Sequence, residues 1–427
     1  MARRFSAIGP LPAWAVHSLK SSGMEASLYI HIPFCAGQKC DYCDFYSVPE
    51  KPGDGRLELY TESLLTEAEK VFDTYRPEKV PTLYIGGGTP SILGAAGIGR
   101  LLKGLVNIIA RYSPGAPDEI TVEANPESAD EPFLAAARGG GATRLSLGIQ
   151  TFYGPSRKAV NRSGAETSSA ETLLTRRLAL AAEYFPGAFS ADLVSGLPFQ
   201  DEKILHDDIA ALLSYKPAHV SLYALTIEEG TPLAENVAGG RLALPEGDEA
   251  DKLWIFGRDL LEKHGYNQYE VSNFCLSGKE SRHNIRYWLM KNWLALGPSA
   301  SGTIIDDDAG TGLRSTFPPN IGAWLETAPG RSQRPGAVFT EELDTFTLIK
   351  ESLLMGFRYI EGPDNDLFRR RFSRGIEDFI PKTLNTWRAR GLLRKDKAAL
   401  TKEGLLFLNP FLLDVFRELD SSLTCQY

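Results

Sequence analysis

From Ser27 to Leu225 the chain alternates short apolar or β-branched runs with longer segments of helical period. The runs Leu28–Ile32, Thr82–Ile85, Glu119–Ala124, Arg144–Gly148, Ala188–Val194 and His219–Leu225 have strand length and β-rich composition. Gly97–Tyr112 is typical of the segments between them. Its Ile98, Leu101, Leu102, Leu105 and Ile109 fall on one helical face. Six β–α repeats in succession predict an α/β fold, with a parallel sheet and helices packed outside it. An open doubly wound sheet and a partial barrel both fit, and both place their sites at the C-terminal strand ends.

The repeat fades after Pro232. Residues 241–338 read as a connecting region. It holds a helix-like stretch, Glu246–His264, a dense polar and aromatic run, then an Asp-, Gly- and Pro-rich linker or surface loop over 306–338. A helical pattern restarts at Phe339, with Thr340 as N-cap ahead of Leu343, Phe346, Ile349 and Leu353. Gly391 marks a turn, Leu392–Arg394 is strand-like, and a short segment opens at Thr401. Residues 339–427 are therefore expected to form a small winged-helix-like α+β domain. Residues 1–24 contain Arg3, Arg4 and Lys20, no acid, and the helix breakers Pro10 and Pro12, which tells against a transit peptide. Structured sequence starts just after Met24, as an overlong start would give. Residues 1–24 are thus set apart from a core at 25–240.

Composition narrows the function. The 427 residues are 43% hydrophobic and 23% charged, ordinary for a folded chain. A net charge of −8 argues against general affinity for nucleic acid or an anionic membrane. No apolar run approaches the ~20 residues of a membrane-spanning helix. Arg369, Arg370 and Arg371 form a short basic run that reads as a solvated face.

Five cysteines are present, and three of them, Cys35, Cys40 and Cys43, fall together just after the first strand. Cys275 and Cys425 stand alone. A chain this large needs no disulfide framework, so the trio reads as metal or redox chemistry in a reducing, cytoplasmic setting. Three thiolates on one loop suit a four-iron cluster with one iron left open. Zinc competes, but a closed structural site wants four ligands, and His31 lies inside the strand.

Tyr29-Ile-His31-Ile-Pro33-Phe-Cys35, followed by Cys40-Asp-Tyr-Cys43-Asp44-Phe45, resembles the radical S-adenosylmethionine (SAM) enzymes of the oxygen-independent coproporphyrinogen III oxidase group. The resemblance runs from about Leu28 to Asn409. It implies a partial (β/α)6-type barrel whose [4Fe-4S] cluster sits on Cys35, Cys40 and Cys43. The open iron would bind the amino and carboxylate groups of SAM, and reduction would release a 5′-deoxyadenosyl radical. The family places three residues between the first two cysteines, whereas here there are four, Ala36-Gly37-Gln38-Lys39. Gly37 can take φ > 0 and absorb the extra residue as a bulge; the competing reading is a cluster that assembles poorly.

By the same resemblance Gly87, Gly88 and Thr89 of Gly86-Gly87-Gly88-Thr89-Pro90 form the SAM loop. Tyr29, Glu123, Gln150, Arg162, Asp192 and Ala224 complete the SAM contacts. Each polar residue in that set has a bland alternative as a cap or strand-end group. Their recurrence at successive strand ends is what that alternative explains badly. Ser163-Gly164 follows Arg162 where many relatives carry a histidine.

Two branches of the family compete. The oxidase carries a fourth cysteine two residues after the third and a longer N-terminal substrate region. This chain has Phe45 there, and Cys35 lies only 11 positions after Met24. His283-Asn284-Ile-Arg-Tyr287-Trp288 resembles the His-Asn-x-x-Tyr-Trp motif of the related haem chaperone. There His283 would ligate haem iron, Asn284 would complete the motif, and Tyr287 and Trp288 would offer flat apolar area. Cys275 is an alternative soft ligand, with a buried thiol as its default reading. The expectation is a haem chaperone that hands haem to an acceptor protein, with the oxidase as the alternative. The resemblance also leaves room for a homodimer and for peripheral membrane contact.

Overall fold

The computed structural model describes residues 4–7, 23–162, 167–326 and 337–423. Its strands in chain order begin β1 (Arg4–Ala7), β2 (Ser27–Ile32), β3 (Phe34–Ala36), β4 (Val48–Glu50) and β5 (Thr82–Gly87). There follow β6 (Glu119–Ala124), β7 (Arg144–Gln150), β8 (Phe189–Ser195), β9 (His219–Ala224), β10 (Asn267–Gln268) and β11 (Asn273–Cys275). The last are β12 (Trp293–Leu296), β13 (Ser301–Asp306), β14 (Thr311–Thr316) and β15 (Ala337–Leu343). One sheet runs β1-β15-β14-β13-β12-β2-β5-β6-β7-β8-β9-β11-β10, and β3 pairs separately with β4. From β12 to β9 every neighbour is parallel; beyond both ends the pairing turns antiparallel.

All six strands expected from the sequence are present to within two residues. Their period-2 alternation explains the architecture. Leu28, Ile30, Ile32, Leu83, Ile85, Ile120, Val122, Leu145 and Leu147 are buried on one face, where the helices pack. The helix Gly94–Tyr112 brings Ile98, Leu101, Leu102, Leu105, Ile108 and Ile109 to that layer. Pro90–Tyr112 is long and apolar enough to cross a membrane by length and composition, yet this apolar face is committed to the core. The other strand face is polar almost throughout: Ser27, Tyr29, His31; Thr82, Tyr84; Glu119, Thr121, Glu123; Arg144, Ser146; Ser190, Asp192; His219, Ser221, Tyr223. The partial barrel is thus lined by hydrogen-bonding groups.

The remainder departs from expectation in four places. Arg4–Ala7 pairs antiparallel with β15, so part of the N-terminal extension belongs to the sheet. The stretch 306–338 is not a linker in its described part: β14 and the helix Ile321–Glu326 lie there, and the β13–β14 hairpin extends the sheet. Thr340 lies within β15, and Asp344 is the N-cap, its carboxylate accepting from Thr347 N–H before the helix Thr345–Gly356. Turn chemistry at an Asp outweighed the earlier apolar pattern. The C-terminal region has the expected small α+β character, mostly helical with its strand-like part at the Leu393–Leu400 bridge. It has its own core around Leu348, Leu353, Phe357, Phe368, Trp387 and Phe411. Arg371 is buried rather than solvated. Its Nε meets Asp307 at 2.6 Å and its Nη2 the Met290 carbonyl at 2.7 Å, which ties these helices to the sheet.

Candidate functional site

The cysteine loop is held at several points. β3 and β4 pair at its ends. Phe34 is buried edge-on against Tyr60, ring centroids 5.1 Å apart. In mid-loop Tyr42 packs on the small cluster of Val160, Val194, Leu197 and Leu233. Asp41 donates its N–H to the Val160 carbonyl at 3.0 Å and accepts from Leu233 at 2.9 Å. The extra residue is absorbed where the sequence suggested: Gly37 takes φ 80°, and a Cβ there would meet nothing within 4 Å.

All three thiols are half-buried and line one cleft of about 460 Å³ at the C-terminal strand ends. Gly87, Gly88, Thr89, Glu123, Gln150, Arg162, Asp192 and Ala224 line the same cleft, as expected. Tyr29 does not. It stands one layer deeper, its hydroxyl 3.0 Å from His31 Nδ1 and its ring stacked on Tyr84. Among the described residues no three His, Cys, Asp or Glu side chains converge on a single ion.

The glycines do more than admit a ligand. Gly88 donates its N–H to the Ile32 carbonyl at 2.8 Å, and a Cβ on it would lie 2.6 Å from the Phe34 carbonyl oxygen. Gly87 has φ 111°, and its Cβ would lie 2.5 Å from His31 Nδ1. The triplet therefore clamps the cofactor loop onto the cysteine loop. Gly88→Ala is expected to cost about 1–2 kcal/mol through backbone displacement. A chelator challenge should show cluster iron leaving the variant faster than the native protein.

Arg162 is buried beside the cluster loop. Nη1 lies 3.4 Å from Cys40 Sγ, and Nη2 donates to Asn125 Oδ1 at 3.1 Å and the Gly148 carbonyl at 2.6 Å. Burial opposes its charge, but the adjacent Tyr42 and Cys40 outweigh that and hold it protonated above its ordinary range. Its Nε is buried without a hydrogen-bond partner among the described residues. A cation and an orphaned donor beside three thiols fit a cluster of thiolates with an anionic ligand. Asn125 was missed as a site residue by sequence reasoning. It donates to Thr89 Oγ1 at 2.9 Å, and Thr89 Oγ1 lies 3.9 Å from Cys35 Sγ. Ser163-Gly164 and Cys425 lie outside the described residues.

Two half-buried carboxylates face the cleft. Burial pushes Glu123 up to about 7, although Tyr84 and Gly87 N–H bonds pull it down. Burial likewise raises Asp192, opposed by Ser221, Ser146 and Arg144. Both could accept hydrogen bonds from a polar ligand in the cleft.

The haem motif lies elsewhere. The helix Arg282–Trp288 closes the opposite, N-terminal end of the barrel. Glu119, at the start of β6, accepts from Arg282 N–H at 2.9 Å and His283 N–H at 3.1 Å. Arg286 reaches Ser27 Oγ at 2.5 Å and Glu25 Oε1 at 2.6 Å. His283 is 1% exposed, with Nδ1 2.8 Å from Thr82 Oγ1 and Nε2 2.9 Å from the Tyr287 hydroxyl. Thr82 donates its own proton to Ser27, so Nδ1 carries the hydrogen and Nε2 accepts from Tyr287. Burial lowers His283 to about 3, so it is neutral. Both ring nitrogens are engaged by neighbouring hydroxyls. Tyr287 packs edge-on against Trp293, Asn284 N–H is capped by Ser281 Oγ, and Trp288 lies beside Leu367 and Phe368 of the C-terminal helices. Cys275 is buried in β11 opposite His219, and burial pushes its thiol up to about 12, as a packed thiol would show.

A parallel barrel with three loop cysteines beside a glycine-walled cleft defines a radical SAM protein, and the Radical SAM superfamily profile matches residues 29–207. The chain belongs to that superfamily. Within it the chain belongs to the HemW family. It is 32% identical over 373 residues to "Heme chaperone HemW" of Lactococcus lactis, covering 87% of this chain and 91% of that one. It is 32% identical over 399 residues to mouse "Radical S-adenosyl methionine domain-containing protein 1, mitochondrial", covering 92% and 84%. Among solved structures, Escherichia coli coproporphyrinogen III oxidase HemN superposes with a TM-score of 0.74 at 19% identity, covering 96% of this chain and 94% of that one. That likeness establishes the shared fold.

Proposed function

We propose that this protein is a haem chaperone of the radical SAM class, binding haem and passing it to an acceptor protein in the cytoplasm. The observation that carries this reading is the end-to-end alignment with the HemW chaperones. Cys35, Cys40 and Cys43 would hold a [4Fe-4S] cluster, which supplies a one-electron centre when bound. The residues around it act in defined ways. Arg162 offsets thiolate charge at Cys40, Gly88 fixes the loop, and Glu123 and Asp192 present acceptors to SAM. The oxidase reading finds less support. Phe45, 63% exposed at the cleft mouth, occupies the place of that enzyme's fourth cysteine.

Anaerobic purification with iron, sulfide and haem quantified on one sample tests the proposal. Cluster-loaded protein is expected to bind haem and, given SAM, reductant and coproporphyrinogen III, to form no protoporphyrinogen. Robust turnover would return the chain to the oxidase branch.

A further inference from the structure

The plug helix is connected to the cofactor cleft by one column of side chains. The Tyr287 hydroxyl holds His283 at Nε2, and Thr82 holds it at Nδ1. The His283 ring lies on Tyr84, centroids 5.0 Å apart. The Tyr84 hydroxyl donates to Glu123 Oε1 at 2.6 Å, and the other Glu123 oxygen accepts from Gly87 N–H at 3.2 Å. Gly87 and Glu123 both line the cleft.

We propose that His283 and Tyr287 are positioning residues of the SAM pocket, setting the height and tilt of Tyr84, which in turn fixes the Glu123 carboxylate. The inference rests on the reading that Glu123 faces SAM. A tyrosine ring rotates about two torsions, and only neighbours packed on its faces fix where its hydroxyl falls. Here those neighbours are His283 on one side and Tyr29, 6.2 Å away, on another. His283 is locked in turn at both nitrogens. Because it is neutral, it contributes shape and hydrogen bonds to this column rather than charge. Removing the imidazole opens a cavity under Tyr84 into which the phenol can sink, and a 2.6 Å bond does not survive a displacement of an ångström.

The test is a double-mutant cycle on cluster-loaded protein, read as the SAM dissociation constant by anaerobic equilibrium dialysis, with melting temperature measured alongside. Tyr84→Phe and His283→Ala are each expected to weaken SAM about tenfold. The double variant should also be about tenfold weaker, because both changes break the same hydrogen bond. A hundredfold additive loss, or His283→Ala binding SAM within twofold of native, would overturn the inference. If His283→Ala does not fold, Tyr287→Phe keeps the ring packing and removes only the bond to Nε2. About threefold weaker binding, absent in the Tyr84→Phe background, supports the column; unchanged binding overturns it. Glu123→Gln separates the two layers of argument. If that variant binds SAM normally, the reading of Glu123 fails; if it binds weakly while the His283 and Tyr287 variants do not, the positioning inference alone fails.

Discussion

Anaerobically reconstituted protein is expected to hold about four irons per chain, and the triple Cys35→Ala, Cys40→Ala, Cys43→Ala variant essentially none. The thiols reach the cleft from a loop pinned at Phe34, Asp41 and Tyr42, so the variant should lose the cluster while keeping the barrel. Iron and sulfide analysis with far-ultraviolet circular dichroism separates these outcomes. A colourless native protein holding one zinc would contradict the assignment. The longer Cys35–Cys40 spacing makes a finer test. Gly37 is exposed at φ 80° with open space around it, so the bulge is a surface excursion. Deleting Gly37 should leave iron content unchanged or higher. A sharp loss would mean that the four-residue spacing is part of the ligand geometry.

The parallel half of the fold was legible because its signal is local. Each strand carries alternating apolar residues, such as Leu28, Ile30 and Ile32, and each following helix an apolar stripe. The cleft was legible for the same reason. Strand ends in a parallel barrel share one rim, so Glu123, Gln150 and Asp192 had to meet. The inner strand face was equally available in the alternation Ser27-x-Tyr29-x-His31 and Arg144-x-Ser146. Reading only the strand ends hid the polar interior and with it Tyr84. Of the antiparallel additions, β13 and β14 form a tight hairpin, whereas β15 joins β14 across about 20 residues and the Arg4–Ala7 edge depends on a neighbour over 300 residues away. Their segments are short and rich in Asp, Gly and Thr, so turn signals masked them. The His283 motif was ambiguous for a different reason. A histidine among aromatics is the pattern of a metal ligand and also of a buried histidine satisfied at both nitrogens. Thr82 and Tyr287, which meet its two nitrogens, are remote or unmarked in the sequence pattern.

The stability of the cofactor-free protein is expected to follow the ionisation of Glu123. Its folded value, about 7, lies above the 4.5 of a free glutamate because burial penalises the carboxylate. The sign follows from linkage: a raised acid stabilises the fold while protonated, and that contribution is lost as pH rises through 7. A shift of that size corresponds to about 3 kcal/mol in full, of which on the order of 2 kcal/mol falls between pH 5.5 and 8. Glu123→Gln cannot titrate. It keeps an acceptor for the Tyr84 hydroxyl but can lose the Gly87 bond, a cost that does not change with pH. The stability of the variant relative to native cofactor-free protein should therefore improve steadily from pH 5.5 to 8, by that same amount. Glu270, also near 7, and Asp208, near 6, titrate in both proteins and cancel in the difference. Urea midpoints at each pH supply the measurement. Parallel curves for the two proteins would show that Glu123 is already ionised in the fold at pH 5.5. In that case the Tyr84 and Gly87 hydrogen bonds outweigh burial, and the cleft offers SAM a carboxylate throughout.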